Sequence, residues 1–180
     1  MGHIIVSENI TLDGVEQDPT GDEGHAAGGW FGRAGEADRV AFAESAAKEA
    51  DNTEALLLGR RSYAWFAERW AQRPGAWADR LRALPKYVVA SSRPEGWGDT
   101  TVVTLDEVAG LRDRIGGDLV VYASAQLVRA LLERDLVDEY RLAVHPLFGA
   151  VAAARPLLLA EARGAGEGLT FLTFRRADQP

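Results

Sequence analysis

The stretch LLLGRRSY at residues 56–63 decides the fold class, because an apolar run ends there in a glycine followed by two arginines. The apolar residues 55–58 predict a buried strand, and Gly59 marks the turn that ends it. Residues 61–70 then place Tyr63, Phe66 and Trp70 at the spacings of three and four that an amphipathic helix requires. A strand that leads directly into a helix is typical of α/β proteins.

The same alternation of strands and helices continues on both sides of this stretch. Because helices separate most of the strands, we expect a mostly parallel sheet flanked by helices. The last two strands have no helical pattern between them, so we expect them to pair antiparallel at one C-terminal edge. The chain has no internal repeat and no long linker, which predicts a single domain over residues 1–180. Further strands are predicted at residues 4–6, 87–90, 100–103, 119–122, 137–144 and 169–175, and further helices at residues 37–50, 106–115 and 124–133.

Composition excludes several classes of function. The chain has no cysteine, which removes disulfides, thiolate metal sites and thiol catalysis. Its three histidines are far apart in sequence, so no metal site is expected, and it carries neither a Walker nor a Gly-x-Ser-x-Gly motif. A net charge of −7 argues against binding to nucleic acid or to a membrane surface. With no apolar run of membrane-spanning length and no signal-peptide pattern, we expect a cytoplasmic protein.

Polar residues follow three of the predicted strands, and open α/β sheets bind ligands beyond the carboxyl ends of their strands. Helix N-termini attract phosphate groups, and arginine adds a bidentate fork for phosphate oxygens. Two such ends suit a dinucleotide that carries an extra 2′-phosphate. The alternative is that the arginines are simply solvated and the serines only cap helices. The residues concerned are Gly59, Arg60, Arg61 and Ser62, then Ser91, Ser92 and Arg93, and finally Ala123, Ser124, Ala125 and Gln126.

A long loop rich in glycine and acidic residues begins at Asp13. Long loops inside compact domains are commonly functional, and the five glycines of residues 14–30 suit a lid that changes its backbone angles. The alternative is a mobile surface loop without ligand contact. Asp13 is a candidate proton donor, although Asp-Gly pairs are also common in plain turns. His25 is a second candidate acid, or it is simply exposed.

Five segments together resemble the dihydrofolate-reductase-like family. The closest resemblance is to the branch that contains the reductase domain of the bacterial riboflavin-biosynthesis deaminase/reductase and its stand-alone relatives. The similarity extends from Ile4 to about Phe174 in the order of the family. The segments are SENITLDG at residues 7–14, LLLGRRSY at 56–63, LPKYVVAS at 84–91, SAQLV at 124–128 and LVDEYRL at 136–142 with His145-Pro146.

The resemblance implies a dihydrofolate-reductase-like fold, NADPH as cofactor, a homodimer, and hydride transfer to a small pterin-, pyrimidine- or flavin-like substrate. It places Gly59, Arg60, Arg61 and Ser62 at the adenosine-side phosphates, and Ser91, Ser92 and Arg93 beside the 2′-phosphate or adenine. It places Tyr122 near the nicotinamide and Ala123, Ser124, Ala125, Gln126 and Leu127 around the pyrophosphate. It assigns the substrate pocket to Trp30, Phe31, Tyr63 and Phe66. From their position after the first strand or in the long loop, Leu12, Asp13 and His25 are further candidates on the substrate side.

The chain departs from the family pattern at two places. Ala123 stands where the family usually has glycine, which adds a methyl group where the backbone would approach the pyrophosphate. Residues 147–156, LFGAVAAARP, are longer and poorer in glycine than the corresponding family segment. The competing hypothesis is therefore a non-redox member of the fold, such as a ligand-binding protein, an isomerase or a cyclase, that does not use NADPH.

Overall fold

The structure is a computed structural model that describes residues 2–151 and 157–176. The chain divides into two compact units. The first unit comprises Met1–Glu8 and Ala43–Leu142, and the second comprises Asn9–Phe42 and Ala143–Pro180. This division into compact units does not test the expectation of a single domain over residues 1–180, which stays a prediction.

A six-stranded parallel sheet dominates the fold and confirms the predicted α/β class. The strand order is β4-β3-β2-β5-β1-β6, so strands distant in sequence become neighbours through helical crossovers. The strands are β1 (His3–Thr11), β2 (Thr53–Gly59), β3 (Lys86–Val89), β4 (Thr100–Val103), β5 (Asp118–Tyr122) and β6 (Glu139–His145). The helices are α1 (Glu36–Asn52), α2 (Arg60–Trp70), α3 (Ala76–Ala83), α4 (Val108–Arg114) and α5 (Ala125–Leu132). Short 3₁₀ helices occupy Trp30–Arg33 and Leu105–Glu107.

The core of the first unit lies on both faces of this sheet. The central strands carry near-continuous apolar runs because both faces are covered, as expected for parallel strands. On one face Leu56, Leu58 and Val120 pack with Tyr63 and Phe66 of α2. The other face buries the alternate strand residues Val6, Leu57 and Val121 together with Leu111, Leu127 and Leu131 of α4 and α5. Full burial of each such side chain contributes about 1.5–3 kcal/mol, so this packing stabilises the sheet between its covering helices.

The second unit contains an antiparallel pair of strands near the C-terminus. The strands β7 (Leu157–Ala165) and β8 (Leu169–Arg176) pair with each other from Leu157↔Arg176 to Ala165↔Leu169. The sequence predicts antiparallel pairing at this end, but the expected partner of residues 169–175 was residues 137–144, and that detail is wrong. The strands β7 and β8 are joined by a short turn, in which Gly166 has φ +61°. Closing this short loop costs less conformational entropy than pairing residues 169–175 with the distant residues 137–144. Within the described residues, no helix is long and apolar enough to cross a membrane.

Candidate functional site

Three turns at the ends of neighbouring strands are joined by hydrogen bonds in the first unit. The Ser124 hydroxyl, after β5, accepts a hydrogen bond from the Gly59 amide at 3.2 Å and donates one to the Ser62 hydroxyl at 2.6 Å. The Arg60 guanidinium, which follows β2, donates to the Ser92 hydroxyl after β3 at 3.2 Å. The structure therefore brings together the strand ends that the sequence singles out. Their role as cofactor contacts stays a prediction.

Two helices begin at these joined turns, and neither has a side-chain N-cap. The helix α2 begins after Gly59 and α5 begins after Ser124. The first amides of a helix lack intrahelical partners, and together with the helix dipole they attract anions. The approach is close, because a Cβ added at Gly59 would lie 3.3 Å from the Ser124 hydroxyl. Arg60, Arg61 and Arg93 are exposed on these turns, so positive charge accompanies the helix ends. Such an arrangement suits phosphate groups.

The turn after β5 has an unusual backbone. Ala123 lies at φ +48° and Ser124 at φ +101°, the left-handed region that favours glycine. A non-glycine residue in such a region costs about 1–3 kcal/mol and persists only where its surroundings hold it. Here the two hydrogen bonds of the Ser124 hydroxyl hold the turn. The chain thus keeps a glycine-like backbone at the position where Ala123 replaces the usual glycine.

The other predicted cofactor residues divide between the surface and the core of the first unit. Leu127 is buried among the residues of the sheet face that α4 and α5 cover. Ser91, Ala125 and Gln126 are exposed. Tyr122, the last residue of β5, is buried, and its hydroxyl makes no hydrogen bond of normal geometry.

Asp13 anchors a loop of the second unit. Its carboxylate accepts hydrogen bonds from the Thr11 hydroxyl at 2.6 Å and from the amides of Gly149 at 2.7 Å and Ala150 at 2.9 Å. The Thr11 bond, with the two amides, outweighs desolvation and lowers the pKa of Asp13 to about 2. A carboxyl group with this pKa is ionised near neutral pH and is a poor proton donor. The geometry therefore favours the structural alternative for Asp13 over the proton donor that we expected.

Arg33 holds the same segment from its carbonyl side. Its guanidinium donates to the carbonyls of Gly149 at 2.7 Å, Val151 at 2.8 Å and Phe148 at 3.2 Å. The Asp13 carboxylate thus binds amides of the segment 148–151, and the Arg33 guanidinium binds its carbonyls. The sequence shows this segment only as a glycine-poor departure from the family and does not reveal either contact.

Asp18 organises the long loop that follows β1. It is 4% exposed, with φ +48°, and its carboxylate accepts the amides of Glu23 and His25. Burial alone would raise its pKa, but the surrounding backbone amides lower it. Asp18 is one of the acidic residues of the long loop, and the backbone of that same loop wraps around its carboxylate. His25 is exposed, and its Nδ1 accepts the Ala27 amide at 3.2 Å.

Three of the side chains expected to line a substrate pocket are buried in the structure. Trp30 is fully buried, with its ring 5.1 Å from that of His145 and its Nε1 donating to the Gln17 carbonyl at 3.2 Å. In the first unit, the Tyr63 hydroxyl is bonded to Thr100 and to the Trp97 amide, and Phe66 stacks on Trp97. Phe31 and Leu12 are half-buried in the second unit. The role of these side chains as substrate contacts stays a prediction.

Sequence reasoning missed Glu49 of α1. Its carboxylate accepts hydrogen bonds from the Ser7 hydroxyl at 2.9 Å and from the Arg141 guanidinium at 3.1 Å. The glutamate side chain is only 12% exposed. The one indication in the sequence is that Glu49 lies next to the small apolar Ala50 near the end of the helix, which is too weak a pattern to single it out.

Comparison with known proteins identifies a family model and similar solved structures. A family model described as the RibD C-terminal domain matches residues 2–162. A crystal structure of a candidate riboflavin biosynthesis protein from Shewanella sp. PV-4 matches with a TM-score of 0.59 and 16% sequence identity, covering 97% of this chain and 98% of that chain. At this identity the structural likeness shows the fold alone. No curated protein matches the chain.

Proposed function

Because this chain belongs to the family of RibD C-terminal domains, we propose that it is an NADPH-dependent reductase that transfers hydride to a small heterocyclic substrate. The membership confirms the family resemblance that the sequence motifs indicate, and with it the dihydrofolate-reductase-like fold. The cofactor and the pterin-, pyrimidine- or flavin-like substrate class belong to the proposal.

The observation that carries the proposal is the junction of the three strand-end turns. Two helix N-termini without side-chain caps start there, beside exposed arginines. A dinucleotide with a 2′-phosphate needs more than one anion site, and separate helix ends supply them. Ala123 fits this use, because the turn keeps its left-handed backbone and the alanine is exposed.

When bound, NADPH supplies the hydride, and the chain supplies binding and orientation. In this proposal Arg60 and Arg93 hold the 2′-phosphate, while the first amides of α2 and α5 hold the phosphates between the two nucleosides. Asp13 stays ionised and keeps residues 149–150 in place. The proton that the reduced substrate gains therefore comes from solvent rather than from Asp13.

We test the cofactor by calorimetric titration with NADPH and NADH. Wild-type protein should bind NADPH at least ~10-fold more tightly than NADH, since one charge-assisted hydrogen bond is worth ~1.5–3 kcal/mol. Arg60→Ala and Arg93→Ala should remove most of this preference, whereas Arg129→Ala, on the exposed surface of α5, should preserve it. Equal affinities for the two cofactors would remove the arginines from this role. If neither cofactor binds at millimolar concentration, the non-redox alternative is favoured.

The partner that we propose is a second copy of the chain. The β7–β8 hairpin of the second unit exposes apolar side chains along both strands, including Leu158, Leu159, Leu169 and Phe171 at 46–58%. A two-stranded hairpin is marginal in water on its own, and contiguous apolar surface is usually covered. We expect a dimer in sedimentation at tens of micromolar, weakened by Leu158→Glu. A monomeric wild-type protein at that concentration would contradict the proposal.

A further inference from the structure

The connection between β3 and β4 includes residues 91–93, the segment that we expect beside the 2′-phosphate. The two strands are parallel, with Lys86 paired to Thr100, so residues 90–99 must run back along the length of β3. Such a crossover commonly takes about a dozen or more residues and a helix. These ten residues lie within the described part of the chain and contain neither a helix nor a strand. The hydrogen bonds of a regular element therefore do not fix their position, and side chains must do so.

Trp97 is the one buried residue among residues 90–99, all of which the structure describes. It is 2% exposed. Its ring stacks on that of Phe66, with the centroids 6.0 Å apart, and meets the ring of Tyr63 edge to face at 5.9 Å. The Lys86 ammonium lies 4.6 Å from the centroid of the Trp97 ring. Because an aromatic side chain buries a large apolar area, Trp97 anchors the connection in the core of the first unit.

The backbone next to this side chain is also held in place. The Trp97 amide donates a hydrogen bond to the Tyr63 hydroxyl at 2.6 Å. Gly98 has φ +68°, and a Cβ added there would lie 2.8 Å from the Arg82 carbonyl oxygen of α3. This close approach leaves little room for displacement of the anchored end of the connection.

Residues 91–93 depend on this anchored end for their position. The Ser92 hydroxyl accepts a hydrogen bond from the Arg60 guanidinium at 3.2 Å, but both residues are exposed. An exposed hydrogen bond contributes little, because water competes for its donor and its acceptor. Arg93 is exposed and lies four positions before Trp97. Arginine binds phosphate oxygens with a planar fork, so the contact depends on where the backbone places the side chain.

We propose that Trp97 is a positioning residue for the choice of cofactor, because it anchors the connection that presents Ser92 and Arg93 to the 2′-phosphate. Trp97 is buried and does not itself touch the cofactor. The inference rests on the proposed function, in which residues 91–93 bind the 2′-phosphate. A merely structural role would lower the affinities for NADPH and NADH in parallel, since both would follow the folded fraction. A positioning role lowers the affinity for NADPH alone.

Calorimetric titration of Trp97→Leu and Trp97→Phe with NADPH and with NADH measures this difference. The leucine variant loses the aromatic ring, whereas phenylalanine keeps a ring that stacks on Phe66. We expect the preference of at least ~10-fold in the wild type to fall to about 1 in Trp97→Leu, with the affinity for NADH unchanged. Trp97→Phe should keep part of the preference. The matched control is Trp77→Leu on α3, a half-buried tryptophan packed against the same core, which should keep all of it.

A pair of glycine variants tests the same anchor without a change in the core. Gly98→Ala puts a Cβ against the Arg82 carbonyl oxygen and forces the anchored end to move, so it should lower the preference for NADPH. Gly96→Ala lies in the same connection, but its Cβ meets open space, so it should keep the preference. If Trp97→Leu does not fold, this pair decides the outcome.

A second pair of probes, adenosine 2′-monophosphate and adenosine, separates this inference from the reductase proposal, because it presents the 2′-phosphate without the nicotinamide. If the wild type binds neither NADPH nor NADH but prefers the 2′-phosphorylated probe, the reductase proposal fails and the loss of that preference in the same variants still supports the role of Trp97.

Three results would overturn the role of Trp97. They are a wild-type preference that survives in both Trp97→Leu and Gly98→Ala, a parallel loss of affinity for NADPH and NADH in these variants, and a wild type that does not select the 2′-phosphate in either pair of probes. The first two results leave the reductase proposal intact, because the wild type would still bind and prefer NADPH.

Discussion

Replacing Ala123 with glycine tests the strained turn after β5. Ala123 has φ +48°, where an L-residue is disfavoured by its Cβ. Glycine has no such penalty, and it also gives the backbone more room for a phosphate. The same substitution at Ala125, in the first turn of α5, places glycine in an ordinary helical conformation. The two variants therefore differ in the sign of their expected effect.

The magnitude follows from two opposing contributions. Relief of the left-handed conformation gains about 1–2 kcal/mol. The greater freedom of glycine in the unfolded chain removes about 0.4–1 kcal/mol of that gain. Ala123→Gly should thus stabilise the protein by roughly 0.5–1 kcal/mol, equivalent to about 1–4 °C in Tm for a domain of this size. Ala125→Gly should destabilise it by about 0.5–1 kcal/mol.

The assay is urea unfolding followed by tryptophan fluorescence, with an NADPH titration of each variant. We expect Ala123→Gly to be more stable than the wild type and to bind NADPH as tightly or more tightly. If Ala123→Gly loses as much stability as Ala125→Gly, the turn is not strained as described. If it weakens NADPH binding, the cofactor does not lie over this turn.

Three further predictions concern stability. Asp13→Asn should lose thermal stability with NADPH affinity unchanged. Because the folded-state pKa of Asp13 is about 2, the wild type should lose stability as the pH falls below about 4 towards 2. In pH-dependent unfolding the variant should show a smaller loss over this range than the wild type. Lys86→Met should lose about 2–4 kcal/mol, because the buried ammonium donates to two backbone carbonyls. Burial lowers the pKa of Lys86 to about 8, so above that pH the folded state binds fewer protons than the unfolded state. The free energy of unfolding of the wild type should therefore rise from pH 8 to about 10. A flat profile over this range would contradict the prediction. Gly149→Ala should destabilise by about 1–3 kcal/mol, since its Cβ would lie 2.8 Å from that of Val15, whereas Gly164→Ala, with open space around it, should be tolerated.

The strands of the parallel sheet were predictable because burial on both faces gives them continuous apolar runs. The prediction of residues 55–58 lies inside β2, and that of residues 119–122 lies inside β5. The antiparallel strand β7 was not found, because its sequence LLLAEARGA is rich in residues that favour helices. Its pairing with β8 overrides that propensity, and sequence patterns along one segment do not carry such information.

The candidate site was predictable where it depends on strand ends and not where it depends on side-chain partners. The turns at Gly59 and Ser124 follow from the rule that ligands bind beyond the carboxyl ends of strands. The hydrogen bonds by which Ser124 joins the two turns are visible only in the folded structure, because its partners are more than 60 residues away in sequence. The anchoring roles of Asp13 and Asp18 were also hidden, because an aspartate in a glycine-rich loop suits a ligand contact and a turn equally well.

Binding of NADPH at the three joined turns is tested most directly by an NMR titration of isotope-labelled protein with NADPH that follows assigned backbone amides. We expect saturable binding, with the largest shifts at residues 59–62 and 123–127 and smaller shifts at residues 91–93. The shifts at residues 91–93 should be lost when NADH replaces NADPH, because NADH lacks the 2′-phosphate. The absence of any shift at millimolar NADPH, or shifts confined to residues outside the three joined turns, would show that NADPH does not bind there.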